Sequence, residues 1–415
     1  MRQTFCRTAM GFACGAWLAL ASAAEAQVGE VPAALRERLQ LSEFYGRHLD
    51  VLGIPIIASG DVSDVALQEA GHLVMKMLEH RPDVAAAIAE SGVRIAIMAP
   101  NQFTTDIPEH SDLTPAAYWN RRARGLGATH VRPAVSCGEE NLLCLPGDPY
   151  AAENILIHEF GHVIHQIGMG GVDRTWDRRL RETYEQALAE DLWKGTYAAS
   201  NHSEYWAEAV QSWFDTNREN DAQHNHVNTR DELREYDPRL AELCADVLGD
   251  GDWRYVRPRD RTPPSPHFEG FDVASRPAFE WPAELLAAAA EAGEPTRTRI
   301  PAGAAPLVPR PPDASNPPRS VSGGEAATLW IRNRMSTPAR LDWIDFDGQS
   351  QSYGTVPSGG VHEQSTFTKH VWRLTVADDD VREYVVDGAR SRIVLDASAG
   401  EADGDKANQD GTQDR

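Results

Sequence analysis

The stretch NILIHEFGHVIHQIG, residues 154–168, places three histidines and a glutamate in an otherwise apolar run. Titratable groups are costly on the buried side of a helix unless something pairs them. Within it, His158, Glu159 and His162 make the pattern H-E-x-x-H. Residues four apart share one helix face, so the two imidazoles can bind a single Zn²⁺. Glu159 then sits beside the open side of the metal, where it can take a proton from a bound water. The pentapeptide alone also fits a solvated helix with a polar stripe. The flanking Ile155, Ile157, Val163 and Ile164 argue instead for a buried helix, where two unpaired histidines are hard to explain without a metal.

A catalytic zinc takes a third protein ligand. A third histidine in H-E-x-x-H-x-x-G-x-x-H is absent, because position 165 is histidine and position 168 is glycine. A downstream carboxylate is therefore expected, and TYAASNHSEYWAEAVQSWFDTN supplies Glu204 and Glu208, one helical turn apart. Asn201 or Ser203 can cap that helix. Glutamates on an amphipathic helix are usually wet, but Tyr205, Trp206, Ala207, Val210 and Trp213 leave little of this helix for solvent. His165 falls on roughly the face of His162. A supporting or packing role is expected for it, since three ligands and a water already fill a tetrahedral site. The HNHVN run, residues 224–228, reads as a polar loop.

HEFGH followed by Tyr197, six residues, Glu204-Tyr-Trp-Ala-Glu208 resembles the anthrax lethal factor catalytic domain and the Pro-Pro endopeptidases, zinc metallopeptidases of the gluzincin type. The resemblance covers residues 154–168 and 197–214 only, so no substrate preference transfers. It implies His158, His162 and Glu204 as zinc ligands, Glu159 as general base, Tyr197 as hydrogen-bond donor to the oxyanion, and Glu208 as a group orienting a ligand histidine. The expected reaction is peptide-bond hydrolysis by a zinc-activated water. The strand VRIAIMAP, residues 93–100, is the expected edge along which an extended peptide lies.

These residues need a frame. The chain has 415 residues and a formal net charge of −22, enough length for two to three domains. The acidic balance argues against nucleic acid or an anionic membrane surface as partner. Residues 1–26 read as a secretory signal peptide: Arg2 and Arg7, an apolar run too short to span comfortably, then Ala24-Glu25-Ala26. A secreted or periplasmic protein with no membrane span follows. Cys137 and Cys144 would close a small loop in an oxidising compartment, or stay reduced; Cys244 is left as a buried thiol.

Residues 27–256 read as the metallopeptidase unit. VALQEAGHLVMKMLEHRPDVAAAIAESG reads as a helix stopped by Gly92, VRIAIMAP as a strand, and residues 101–133 as mostly irregular. Residues 257–319 read as a proline-rich linker carrying one helix, WPAELLAAAAEAG. Residues 320–397 hold short β-type runs, ATLWIRNRM, ARLDWIDFDG, HVWRLTVAD, YVVDG and SRIVLD, as in a small sandwich. Residues 398–415 read as a disordered acidic tail. The expected class is α+β, a mainly helical zincin-like domain with a small sheet, then an all-β sandwich.

Across about 330–395, N-R, W-I-D-F-D-G and T-x-x-x-H-x-W resemble, in order, the β-domain of the von Hippel–Lindau tumour suppressor. That resemblance implies a pocket for a hydroxyproline peptide at Trp343, Tyr353, Thr366, His370 and Trp372, with threonine at 366 where the family has serine. The helical domain that recruits ubiquitin-ligase subunits has no counterpart here, so a ligase role is not implied. From residue chemistry alone these aromatics are ordinary sandwich core and surface. Two functions stand against each other. One is a zinc endopeptidase acting on protein or peptide, with a β-domain that holds proline- or hydroxyproline-rich protein. The other is a zinc-stabilised extracellular binding protein, which would need the ligands but neither Glu159 nor Tyr197.

Overall fold

The computed structural model describes residues 27–129, 132–292, 300–301, 303–310, 318–356, 358–376 and 380–396. The expected signal peptide and acidic tail lie outside them. The first unit runs α1 (Ala33–Leu39), β1 (Arg47–Val51), β2 (Ile54–Ala58), α2 (Asp64–Leu78), α3 (Pro82–Ser91), β3 (Arg94–Met98), α4 (Ala116–Arg122), β4 (Gly125–Leu126), β5 (Ala134–Gly138) and α5 (Glu139–Leu143). The helices α6 (Ile155–Val163), α7 (Gly170–Val172), α8 (Trp176–Ala189), α9 (His202–Trp213), α10 (Arg230–Tyr236), α11 (Pro238–Leu248) and α12 (Ala283–Ala292) follow. The fold is mixed α+β. No helix among the described residues is long and apolar enough to cross a membrane.

The sheet has the order β1-β2-β3-β5-β4. The β2–β3 and β3–β5 pairs are parallel, and β4 returns antiparallel to β5. Strands β2, β3 and β5 are buried along their whole length, as expected of parallel strands covered on both faces. One face packs on α2, α3 and α6 around Leu73, Val74, Ile88, Leu156 and Phe160. The other carries a smaller cluster with Leu35, Tyr45, Ile57 and Met98.

Three expectations are corrected here. The helix read through to Gly92 is two helices, α2 and α3. Pro82 disfavours the helical conformation at the residue before it, and Arg81 sits at φ −132°, ψ 69°. VRIAIMAP forms β3, which lies at the centre of the sheet; the edge beside the histidine helix is β4. Cys137 and Cys144 are free thiols. Helix α5 separates them. Cys137 faces the core from β5, whereas Cys144 lines a small cavity with Asn141, Asp148 and Tyr255.

Two buried carboxylates join distant segments of the chain through ion pairs. Arg124, immediately before β4, pairs with Glu140 at 2.6 Å, and both side chains are wholly enclosed. Glu69, buried in α2, accepts from Arg261 at 2.6 Å and from His267 at 2.8 Å, so this part of the proline-rich region lies against the first unit.

The C-terminal unit is a sandwich of two four-stranded sheets. Its strands are β6 (Ala305–Pro306), β7 (Ala326–Asn333), β8 (Ala339–Ile344), β9 (Ser350–Val356), β10 (Val361–Phe367), β11 (Val371–Thr375), β12 (Val381–Val385) and β13 (Arg390–Leu395). The sheets, β10-β7-β13-β6 and β12-β11-β8-β9, enclose Leu329, Ile331, Leu341, Trp372, Leu374 and Ile393. Strands β9 and β10 escape a sequence reading because SQSYGTV and VHEQSTF are largely polar.

Gly125 marks how tightly β4 is held. A Cβ there would lie 2.3 Å from Ile155 Cγ2 and 2.9 Å from the Ser136 carbonyl oxygen, and the backbone atom cannot swing away. Gly125→Ala is expected to lower stability by about 1–3 kcal/mol, the usual cost of overpacking, as read from the urea midpoint.

Candidate metal centre

Helix α6 starts where the Asn154 side chain accepts from Ile157 N at 3.0 Å. Helix α9 starts at Asn201, whose Oδ1 accepts from Ser203 N at 2.9 Å and Glu204 N at 3.0 Å. Of the two possible caps, Asn201 is the one used. The helices meet at the glycine inside HEFGH: Trp206 Nε1 donates to the Gly161 carbonyl at 2.9 Å. A Cβ at 161 would already touch Val210 at 3.4 Å. This close approach brings the first turn of α9 over the two histidines.

Glu204 Oε2 lies 3.2 Å from His158 Nε2 and 3.4 Å from His162 Nε2. Both histidines are buried and Glu204 is partly so. The His158 Nδ1 atom is 2.8 Å from Gln211 Oε1. The Gln211 amide nitrogen donates to Glu153 at 3.0 Å and to the Asn154 carbonyl at 3.3 Å, so its oxygen must face the ring. The hydrogen-bond network therefore puts the proton of a neutral His158 on Nδ1. Its Nε2 lone pair then points at a carboxylate oxygen, an arrangement that calls for a positive charge between them. A zinc ion bound at about 2.0–2.2 Å by each ligand would hold neighbouring donors roughly 3.3 Å apart, so these residues fit the ion. Burial opposes charge on His158, yet Glu204, Glu159 and Glu208 outweigh it and raise the pKa well above its ordinary value. Burial likewise opposes ionisation of Glu204, but His162 and His158 hold it well below the usual carboxylate range.

Glu159 is partly buried between α6 and β4. A Cβ on Gly125 would lie 3.1 Å from its Cγ, and one on Gly127 would lie 3.4 Å from its Oε2. Burial raises its pKa, against the pull of His158 and His162. Tyr197, in a short turn, stacks near His158 with ring centroids 6.4 Å apart. Burial and then Glu204 raise its pKa, so the phenol keeps its proton and can donate, while a hydrogen bond from Arg122 opposes the rise.

One supporting expectation is corrected. Glu208 stands 3.6 Å from His158 Nδ1, and its carboxylate is occupied by Asn217 at 3.1 Å and His224 at 3.3 Å. The residue that orients His158 is Gln211. Its signal was present in the sequence, since 204, 208 and 211 share one helix face. His165 is buried, and its Nε2 lies 2.9 Å from Asp177 Oδ1. Arg122, at the end of α4, was not anticipated at all.

In the sandwich, the five expected pocket residues are neighbours. Trp372 Nε1 donates to Thr366 Oγ1 at 2.9 Å, and Thr366 Oγ1 lies 3.2 Å from His370 Nδ1. Trp343 and His370 rings are 5.2 Å apart, and Tyr353 meets Trp372 edge-on at 4.8 Å. Burial lowers the His370 pKa to about 4, so the ring is neutral near pH 7. Thr366 and Trp372 are core residues, and Tyr353 turns its hydroxyl toward Asp177 of the first unit, 3.4 Å away.

The family model of the VHL beta domain matches residues 319–387, the span that holds strands β7 to β12 of this sandwich. No curated protein matches the chain.

Gln211→Leu keeps the side-chain volume but leaves His158 Nδ1 without its acceptor. It is expected to weaken zinc binding by about 10- to 100-fold, the usual effect of losing such a partner. Competition with a chromophoric chelator reads this directly.

Proposed function

We propose that the first unit is a zinc-dependent endopeptidase. The observation that carries this reading is the meeting of His158, His162 and Glu204 beside a partly buried Glu159, at the outermost strand of the sheet. A zinc ion held by those three residues would supply Lewis acidity, both to activate water and to polarise a carbonyl.

The chain's own residues do the rest. Strand β4 is the last in its sheet, so an extended substrate can pair with its unpaired backbone groups. Gly125 and Gly127 present no side chain toward α6, which brings that backbone close to Glu159 and His162. Glu159 accepts the proton of the attacking water and hands it to the departing amine. Its raised pKa, from burial, brings the two duties closer together in driving force. Tyr197 donates its phenolic hydrogen bond to the oxygen that gains negative charge. The Arg122 guanidinium beside the Tyr197 hydroxyl adds positive charge on that side of the cleft. Gln211 keeps the lone pair of His158 Nε2 directed at the metal position.

A binding scaffold would retain the three ligands and Gln211 without requiring Glu159 or Tyr197 at these places. The C-terminal sandwich is left out of substrate capture in this reading, because Thr366 bonds to Trp372 and Tyr353 faces the first unit.

Residues 27–415 are expected to cleave members of a mixed peptide library, read by mass spectrometry, and Glu159→Gln to cleave none while still binding zinc. Zinc-loaded parent protein that cleaves nothing would favour the scaffold. Tyr197→Phe is expected to lower kcat by about 10²–10³ with little change in KM, since its hydrogen bond forms chiefly to the developing oxyanion.

A further inference from the structure

A second convergence of metal-capable side chains, His165, Asp177 and His202, lies outside the proposed centre. Asp177 Oδ1 is 2.9 Å from His165 Nε2 and 3.2 Å from His202 Nε2. Its other oxygen accepts from Arg181 Nε at 2.8 Å and faces the Tyr353 hydroxyl at 3.4 Å. Four donors thus surround one carboxylate. The guanidinium already balances its charge, and a divalent ion placed beside that guanidinium would be repelled. Hydrogen bonding accounts for the cluster without a metal.

The origin of the four donors is what matters. His165 lies three residues beyond His162, in the widened π-helical turn Ile164–Met169 that continues α6. His202 is the first residue of α9, two before Glu204. Arg181 belongs to α8 and Tyr353 to β9 of the sandwich. Arg181 is buried; its guanidinium carbon stands 3.5 Å from the Tyr353 ring centroid and its Nη1 donates to the Ser352 carbonyl at 2.8 Å. The sandwich also meets the first unit where Glu363 lies 3.7 Å from Arg132 and where Phe346 lies under Arg174 at 5.6 Å.

The first turn of a helix has backbone donors with no intrahelical partner, and helix ends fray. Glu204 sits in such a turn, held at its N–H by the Asn201 cap alone, and His162 sits just before a π turn, where the helix ladder is interrupted. Both ligands therefore depend on what holds the neighbouring backbone.

We propose that docking of the β-sandwich braces the metal centre: Tyr353 and Arg181 lock β9 onto α8, and Asp177 passes that contact to His165 and His202, which hold the ends of the two ligand-bearing helices. Asp177, Arg181 and Tyr353 are positioning residues in this scheme, and Tyr353 serves its own chain. The inference rests on reading His158, His162 and Glu204 as a zinc centre.

The test is zinc affinity of residues 27–415, by competition with a chromophoric chelator, beside zinc content per chain by elemental analysis. Tyr353→Ala, Arg181→Ala and Asp177→Asn are each expected to weaken zinc binding at least tenfold. Tyr353→Phe keeps the ring that stacks on Arg181 and is expected to restore affinity to within about threefold of the parent, a rescue that a simple cavity effect spread through the sandwich would not restrict to zinc. Tyr353→Ala combined with Asp177→Asn is expected to be no weaker than Asp177→Asn alone, because both act through one contact chain. Thermal unfolding of the same samples identifies any variant that fails to fold, in which case Tyr353→Phe against Arg181→Lys carries the comparison; the lysine is expected to fail, lacking the planar fork. Parent protein that binds no zinc overturns the metal centre itself. Parent protein that binds zinc, with Tyr353→Ala unchanged, overturns the brace alone. Two zinc ions per chain, falling to one in Asp177→Asn, would also overturn it and make His165, Asp177 and His202 a second metal site.

Discussion

Three acceptors directed at one buried point form the constraint on which the rest of this structure hangs. The Glu204 carboxylate oxygen stands 3.2 Å from His158 Nε2 and 3.4 Å from His162 Nε2, and Gln211 makes the Nε2 of a neutral His158 an acceptor. Such an arrangement calls for a positive charge, supplied by a proton or by a metal ion. The fold nevertheless spends several features on keeping it. Gly161 removes a side chain so that α9 can reach α6, and Trp206 bolts the crossing to the Gly161 carbonyl. Asn154 and Asn201 cap the two helices on the near side of the site. The metal proposed for this point explains why these local choices agree with one another.

The same economy shapes the cleft wall. Strand β4 contributes only two residues, yet it decides which backbone faces Glu159. It is held in place by the enclosed pair Arg124 and Glu140, and α12 and Trp281 back the neighbouring α4. A buried ion pair is weak evidence of net stability, but losing one partner is costly, so it makes a sharp locator of the segment that carries it. The position of β4 follows from that pair and from the glycines, not from β propensity, which is low in GLGATH.

The sandwich adds a different constraint. Its aromatic cluster is satisfied largely from within, Trp372 on Thr366 and Thr366 beside His370, and its outermost tyrosine meets an arginine from the first unit. Arginine on a tyrosine face in a desolvated position is a strong local contact. It turns two units that look independent in composition into neighbours that share Asp177.

How much of this was legible is clearest residue by residue. His158, Glu159 and His162 could be read because helical periodicity converts spacing directly into a shared face, and because apolar neighbours exclude the solvated alternative; periodicity offered Glu204 and Glu208 together, and the family resemblance singled out Glu204. The same logic would have found Gln211, on the face of Glu204, had amides been weighed beside carboxylates. The sandwich strands with alternating apolar residues were legible, whereas polar β9 and β10 were not. What sequence alone could not decide was whatever depends on two distant segments meeting. That β3 is central and β4 the edge is a matter of strand order. That Cys137 and Cys144 stay apart depends on the helix between them, and that His165 belongs to Asp177 depends on α8 lying alongside. That Tyr353 turns to Arg181, 172 positions earlier in the chain, is set by how the two units dock. Local spacing fixes which side chains share a face; only long-range packing chooses what that face meets.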